Sequence, residues 1–152
     1  MPPVETHPAI LALQTQLLTM KDTWGLKTID AWPSYAEGTG GPAISLELSG
    51  IKPVLFQGSY PNHEYFKVYQ ITISYWSSHF RPPTNTHNVY NMLDAILDHL
   101  LENIVIGNYN LFDQGTIEGP GAGNIPTSDP SRELFGGQMI VPMTQYVTRV
   151  QS

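Results

Sequence analysis

A chain of 152 residues that is 41% hydrophobic is long enough to bury a core, and its lack of cysteine excludes a disulfide frame, a thiolate metal site and a cysteine nucleophile. Charged residues make up only 13%, about half the usual share, so much of the surface is expected to be loop or to be covered by something else. The net charge of −6 and the seven scattered Lys and Arg argue against tight binding to nucleic acid, which runs through basic side chains on phosphates.

The first residues lack the basic start and apolar run of a secretory signal, and no apolar stretch approaches the roughly 20 residues that cross a bilayer. No membrane partner is expected, and residues 1–7 are expected to be loose. Ile10, Leu13, Leu17, Met20 and Trp24 then share one narrow face of a helix over 9–24, with Pro8 suited to its first turn, Thr6 or His7 in the cap region and Gly25 closing it. Residues 28–32 predict a short strand. The alternation of Ile44, Leu46 and Leu48 with Ser45, Glu47 and Ser49 predicts another over 43–48, after a flexible loop at 37–42. Residues 50–64, with Pro53, Pro61 and the apolar run Val54, Leu55 and Phe56, read as a long, partly ordered connection.

Residues 65–76 are dense in β-branched and aromatic side chains and predict a long central strand, with both faces at least partly covered. After Pro82 and Pro83, hydroxyl and amide side chains at 84–88 suit a helix start. A helix over 88–104 follows. Val89, Met92, Leu93, Ile96, Leu97, Leu100 and Ile104 fall in one apolar arc, and Asp94, Asp98 and Glu102 lie opposite, with Gly107 near the end. A strand is expected over 111–118, an irregular loop over 119–137, and a final strand over 138–150 with Met139, Val141, Met143 and Val147 on one face. The economical architecture is a single α+β domain over 1–152: an antiparallel-rich mixed sheet, with the N-terminal helix and the central amphipathic helix packed on one face.

The five histidines (His7, His63, His79, His87 and His99) show no metal-ligand spacing, and surface or turn roles are expected for all of them. Gly119, Gly121 and Gly123 lack the following Lys-Ser/Thr and helix of a phosphate cradle. No cofactor, metal or catalytic residue is therefore expected. Asp94, Asp98 and Glu102 form an acidic stripe with no basic partner. It reads as a solvated helix face, or as a surface that repels phosphate or meets a basic partner. Val54, Leu55, Phe56, Ile125, Leu134 and Phe135 are apolar residues in stretches read as irregular, so they are the expected partner contacts.

The order and character of these segments resemble the tail terminator (tail completion) proteins of tailed bacteriophages, over residues 10–150. The features that carry the resemblance are the Leu-rich helix through Trp24, the strand at 43–48, the strand 65–76 followed by the helix to Ile104, and the Gly/Pro loop before 138–150. The resemblance implies a non-enzymatic virion protein, assembled in the host cytoplasm. It would form a homohexameric ring on the last ring of the tail tube, touching the tube protein and a neck or connector protein while DNA passes without specific binding. By position, the segments 50–64 and 119–137 would meet neighbours. The alternatives are another neck adaptor such as a head-closure protein or, in a different class, a small α+β hydrolase or ligand-binding domain using His63, Glu64 or His87.

Overall fold

The computed structural model describes the backbone of residues 7–30, 42–59, 62–77, 84–113, 115–125 and 134–150. It is an α+β domain with a mixed, curled seven-stranded sheet. The elements in chain order are α1 (Pro8–Leu18), β1 (Thr28–Asp30), β2 (Ala43–Ser59), β3 (Asn62–Ser77), α2 (Thr84–Glu102), β4 (Val105–Ile106), β5 (Tyr109–Leu111), β6 (Glu118–Ile125) and β7 (Leu134–Val150). The sheet runs β1-β2-β3-β7-β5-β4, and β6 also pairs with β7. Only the β1–β2 pairing is parallel.

Three long strands form the spine, with Ile44, Tyr75 and Gly137 in one row and Leu46, Ile73 and Met139 in the next. Because side chains alternate across a strand, Ile71, Ile73, Val141 and Met143 share the face that both helices cover. On that face Ile10, Leu13 and Leu17 of α1 and Val89, Leu93, Ile96 and Leu100 of α2 are buried in one apolar cluster with them. Gly137 makes the close approach of α2 possible. A Cβ there would lie 2.4 Å from Leu93 Cδ1 and 2.8 Å from Val89 Cγ1.

α1 begins at Pro8, whose missing N–H costs nothing in a first turn. The Nδ1 of His7 accepts a hydrogen bond from the Ala9 N–H at 3.0 Å. The helix ends at Leu18 rather than at residue 24. The chain continues through turns to Gly25, whose φ of +68° fits glycine. The expected strand at 28–32 is found at Thr28–Asp30, and residues 31, 32 and 37–41 lie outside the described residues, as do 1–6.

Three expectations are overturned. Residues 50–64 are not a loose connection: β2 runs on to Ser59 and pairs with β3 from Ser59↔Asn62 through Ala43↔Trp76, with bulges at 48/50 and 55/57. Pro53 is tolerated because, among the described strands, β1 pairs with β2 only at residues 43–45 and Pro53 lies on an outer edge. Residues 119–137 are not irregular throughout either. Glu118–Ile125 pairs with a β7 that starts at Leu134, and a bulge between Glu118 and Gly121 absorbs Pro120. Residues 126–133 of the expected Gly119–Gly137 loop lie outside the described residues. Finally, α2 stops at Glu102, and Ile104 is exposed at its end. Val105–Ile106 and Tyr109–Leu111 form a hairpin around Gly107 at φ +59°, and of the strand expected over 111–118 only Leu111, ending β5, and Glu118, opening β6, are in strands among the described residues.

The second face of the sheet is partly covered as well: Val68 and Trp76 of β3 and Thr144 of β7 are buried on it. After β5 the chain turns sharply at Phe112, a non-glycine residue at φ +65° whose N–H bonds the Pro142 carbonyl at 3.1 Å. Residues 115–118 then cross the second face, with Gly115 close against the Pro142 ring. Within β7, Pro142 sits where the outer ladder changes from β6, paired as far as Ile140, to β5, paired from Met143, so its missing N–H breaks neither ladder.

Candidate assembly interface

The core ends in an aromatic cap. The His7 and Tyr69 rings lie 4.9 Å apart, Tyr69 and Tyr109 meet edge to face at 5.7 Å, and the Tyr69 hydroxyl donates to Gln145 Oε1 at 3.1 Å. Burial holds the phenols of Tyr69 and Tyr109 above the usual tyrosine range, and the nearby Tyr109 and Tyr65 add to the shift at Tyr69.

Past this cap β2, β3 and β7 continue, paired only with one another among the described strands. The seven residues of β3 from Asn62 to Val68 add roughly 23 Å at the usual strand rise. The three strands therefore form a tongue projecting from the body. Each face carries one apolar row, Val54, Phe66 and Tyr146 on one and Tyr65 and Val147, paired with Leu55, on the other, set between polar rows such as Lys67 with Gln145 and Glu64 with Thr148. Phe66 and Tyr146 meet edge to face at 5.8 Å. None of the described side chains beyond Val68 and Thr144 is buried, Tyr146 is 48% exposed, and Ile51, in the row of Tyr69 at the base of the tongue, is 53% exposed. Apolar rows on both faces of a projecting ribbon favour a partner packing on it.

A second apolar surface lies on the flank of α2 that faces away from α1. Tyr90, Leu97 and Leu101 stack at i, i+7 and i+11, and Ile104 and Val105 extend the stripe past the helix end, with Val105 65% exposed. Asp94, Asp98 and Glu102 are all exposed and run beside it, so the expected acidic stripe borders an apolar one. On the opposite flank His99 meets α1. Gln16 Nε2 donates to His99 Nε2 at 3.1 Å, and the Trp24 ring stands edge-on to the imidazole at 5.6 Å.

The expected contact residues fall into two groups at opposite ends of the sheet. Val54, Leu55 and Phe56 lie on the tongue, and Val54 is half-buried. Ile125, Leu134 and Phe135 lie where β6 and β7 join, in the pairs Ile125↔Leu134 and Asn124↔Phe135. The side chains of Leu55, Phe56, Ile125, Leu134 and Phe135 lie outside the described residues. Those of His63, Glu64 and His87, and the whole of His79, lie outside them too, so the hydrolase alternative gains no geometry. His7 and His99 are not idle surface residues: His7 caps α1 through the Ala9 N–H two positions on, and His99 joins the helices through Gln16, 83 positions away. The tongue itself was missed because prolines and glycines broke the alternation of β2.

No protein-family model matches this chain, and no curated protein matches it. Among the described residues no group of three or more His, Asp or Glu is placed to hold a metal ion, and no helix is long and apolar enough to cross a membrane. One cleft, of about 160 Å³, opens on the second face between Lys52, Gln70, Thr116, Glu118 and Pro142. It is smaller than the roughly 300–1,000 Å³ of small-molecule sites, and Lys52 and Glu118, its titratable groups, are both exposed.

Proposed function

We propose that this chain is a non-enzymatic structural protein of a tailed-phage virion. Identical copies form a closed ring at the head-proximal end of the tail, ending growth of the tube and joining the tail to the neck. The observation that carries the reading is the tongue, a three-stranded projection with one apolar row on each face and, among the described strands, an outer edge along β2, which favours burial between subunits over a solitary existence. The resemblance to tail terminator proteins supplies the place in the virion. The chain's net charge of −6 suits a ring through which DNA slides without sticking.

Negative-stain electron microscopy of the chain mixed with tail tube protein tests the reading. Rings seated on one end of the tubes, with tube length limited, are expected. Rings that bind isolated heads and ignore tubes would assign the chain to head closure instead.

A further inference from the structure

We propose that the tongue of one copy seats on the α2 flank of the next, so that the two apolar surfaces described above are the two halves of one head-to-tail contact. The proposal rests on the ring reading and specifies which surfaces build it. A closed ring of identical copies needs two different patches per subunit, each complementary to the other. The tongue and the α2 flank differ in shape, one a projecting ribbon and the other a shallow stripe along a helix side.

Their charges also complement one another. Within a chain of net charge −6 the tongue leans basic: Lys67 and Arg149 lie on it against one acid, Glu64, and Lys52 stands at its base, where it shares the second-face cleft with Glu118. The α2 flank carries Asp94, Asp98 and Glu102, and α2 contains no Lys or Arg. Like charges at i and i+4 repel on an isolated helix. An incoming basic ribbon would relieve that repulsion while its apolar rows cover Leu101, Ile104 and Val105. Two tongues would repel each other, as would two α2 flanks, so the charges also select against face-to-face dimers.

Charge exchange tests the contact. A Lys52→Glu/Lys67→Glu variant and an Asp94→Lys/Asp98→Lys variant should each keep the wild-type circular dichroism spectrum and lose self-association by at least tenfold in sedimentation velocity. An equimolar mixture should regain it, because alternating copies restore an opposite-charge pair at every contact. Since the chain has no cysteine of its own, Ile51→Cys mixed with Leu101→Cys should form a disulfide-linked dimer under mild oxidation, while either variant alone remains a single chain. If the wild type assembles but the mixture fails to recover, or if the crosslink appears within Ile51→Cys alone, this contact is overturned and the ring reading survives. If the wild type stays monomeric at every concentration, both fall.

Discussion

Gln16 on α1 and His99 on α2 meet directly, with the glutamine Nε2 donating to the imidazole Nε2 at 3.1 Å, across 83 positions of sequence. Asn103 Nδ2 donates to the His99 carbonyl at 2.8 Å and holds the last turn of α2 beneath the ring. Because Trp24 also packs edge-on to this imidazole, His99 is the bolt between the two helices. His99→Ala should cost about 1–3 kcal/mol in urea unfolding through the lost hydrogen bond and ring contact. A double-mutant cycle with Gln16→Ala should return a coupling of about 0.5–1.5 kcal/mol.

Gly137 sits under α2 where no side chain fits. An added Cβ would meet Leu93 Cδ1 at 2.4 Å and the Gly121 carbonyl oxygen at 3.0 Å. Gly137→Ala should therefore lower stability by about 1–3 kcal/mol by forcing α2 away from the sheet. Gly121→Ala is the control, because nothing lies within 4 Å of its Cβ position. It should change thermal unfolding by no more than about 0.5 kcal/mol.

Thr144 is fully buried on the second face of β7, and among the described residues its hydroxyl has no hydrogen-bond partner. A buried hydroxyl left unsatisfied carries a desolvation penalty that a methyl group of the same shape does not. Thr144→Val should raise stability by about 1 kcal/mol, read as a higher urea midpoint at unchanged slope.

The tyrosines give the protein an alkaline limit. Burial holds the phenols of Tyr69, Tyr75 and Tyr109 above their usual value, so the folded state keeps these protons more tightly than the unfolded chain. The stabilising contribution is complete below a pH of about 10, the unfolded value, and is lost as pH rises through the folded values. Urea midpoints measured from pH 8 upward should be flat and then fall above that point. Tyr75→Phe, which removes one such phenol, should make the fall shallower.

Much of this architecture was legible in the chain. Residues 65–76 read as a strand because β-branched and aromatic side chains crowd it, and Val89, Leu93, Ile96 and Leu100 read as one buried helix face. Met139, Val141 and Met143 marked the core side of β7, and all seven of these named residues are buried. What failed were stretches where tertiary pairing overrides local preference. Pro53 and Gly50 look like loop residues, yet an edge position and a bulge accommodate them in β2. The glycine-rich stretch after Glu118 forms a strand because it is paired with β7. Ile104, Val105 and Ile106 extend the apolar pattern of α2, and only the turn at Gly107 turns them into a hairpin arm. The acidic stripe was visible, but the apolar stripe beside it was not. Tyr90 and Leu101 lie just outside the arc that the core residues define.

The account stands on the tongue being covered by other copies of the same chain, and native mass spectrometry across a range of concentrations tests this directly. The predicted spectrum is dominated by one closed oligomer at a fixed multiple of the 16.9 kDa chain, and Phe66→Asp on the tongue should collapse it to single chains that remain folded. A spectrum holding only the single chain at every concentration, with or without tube protein, would contradict it.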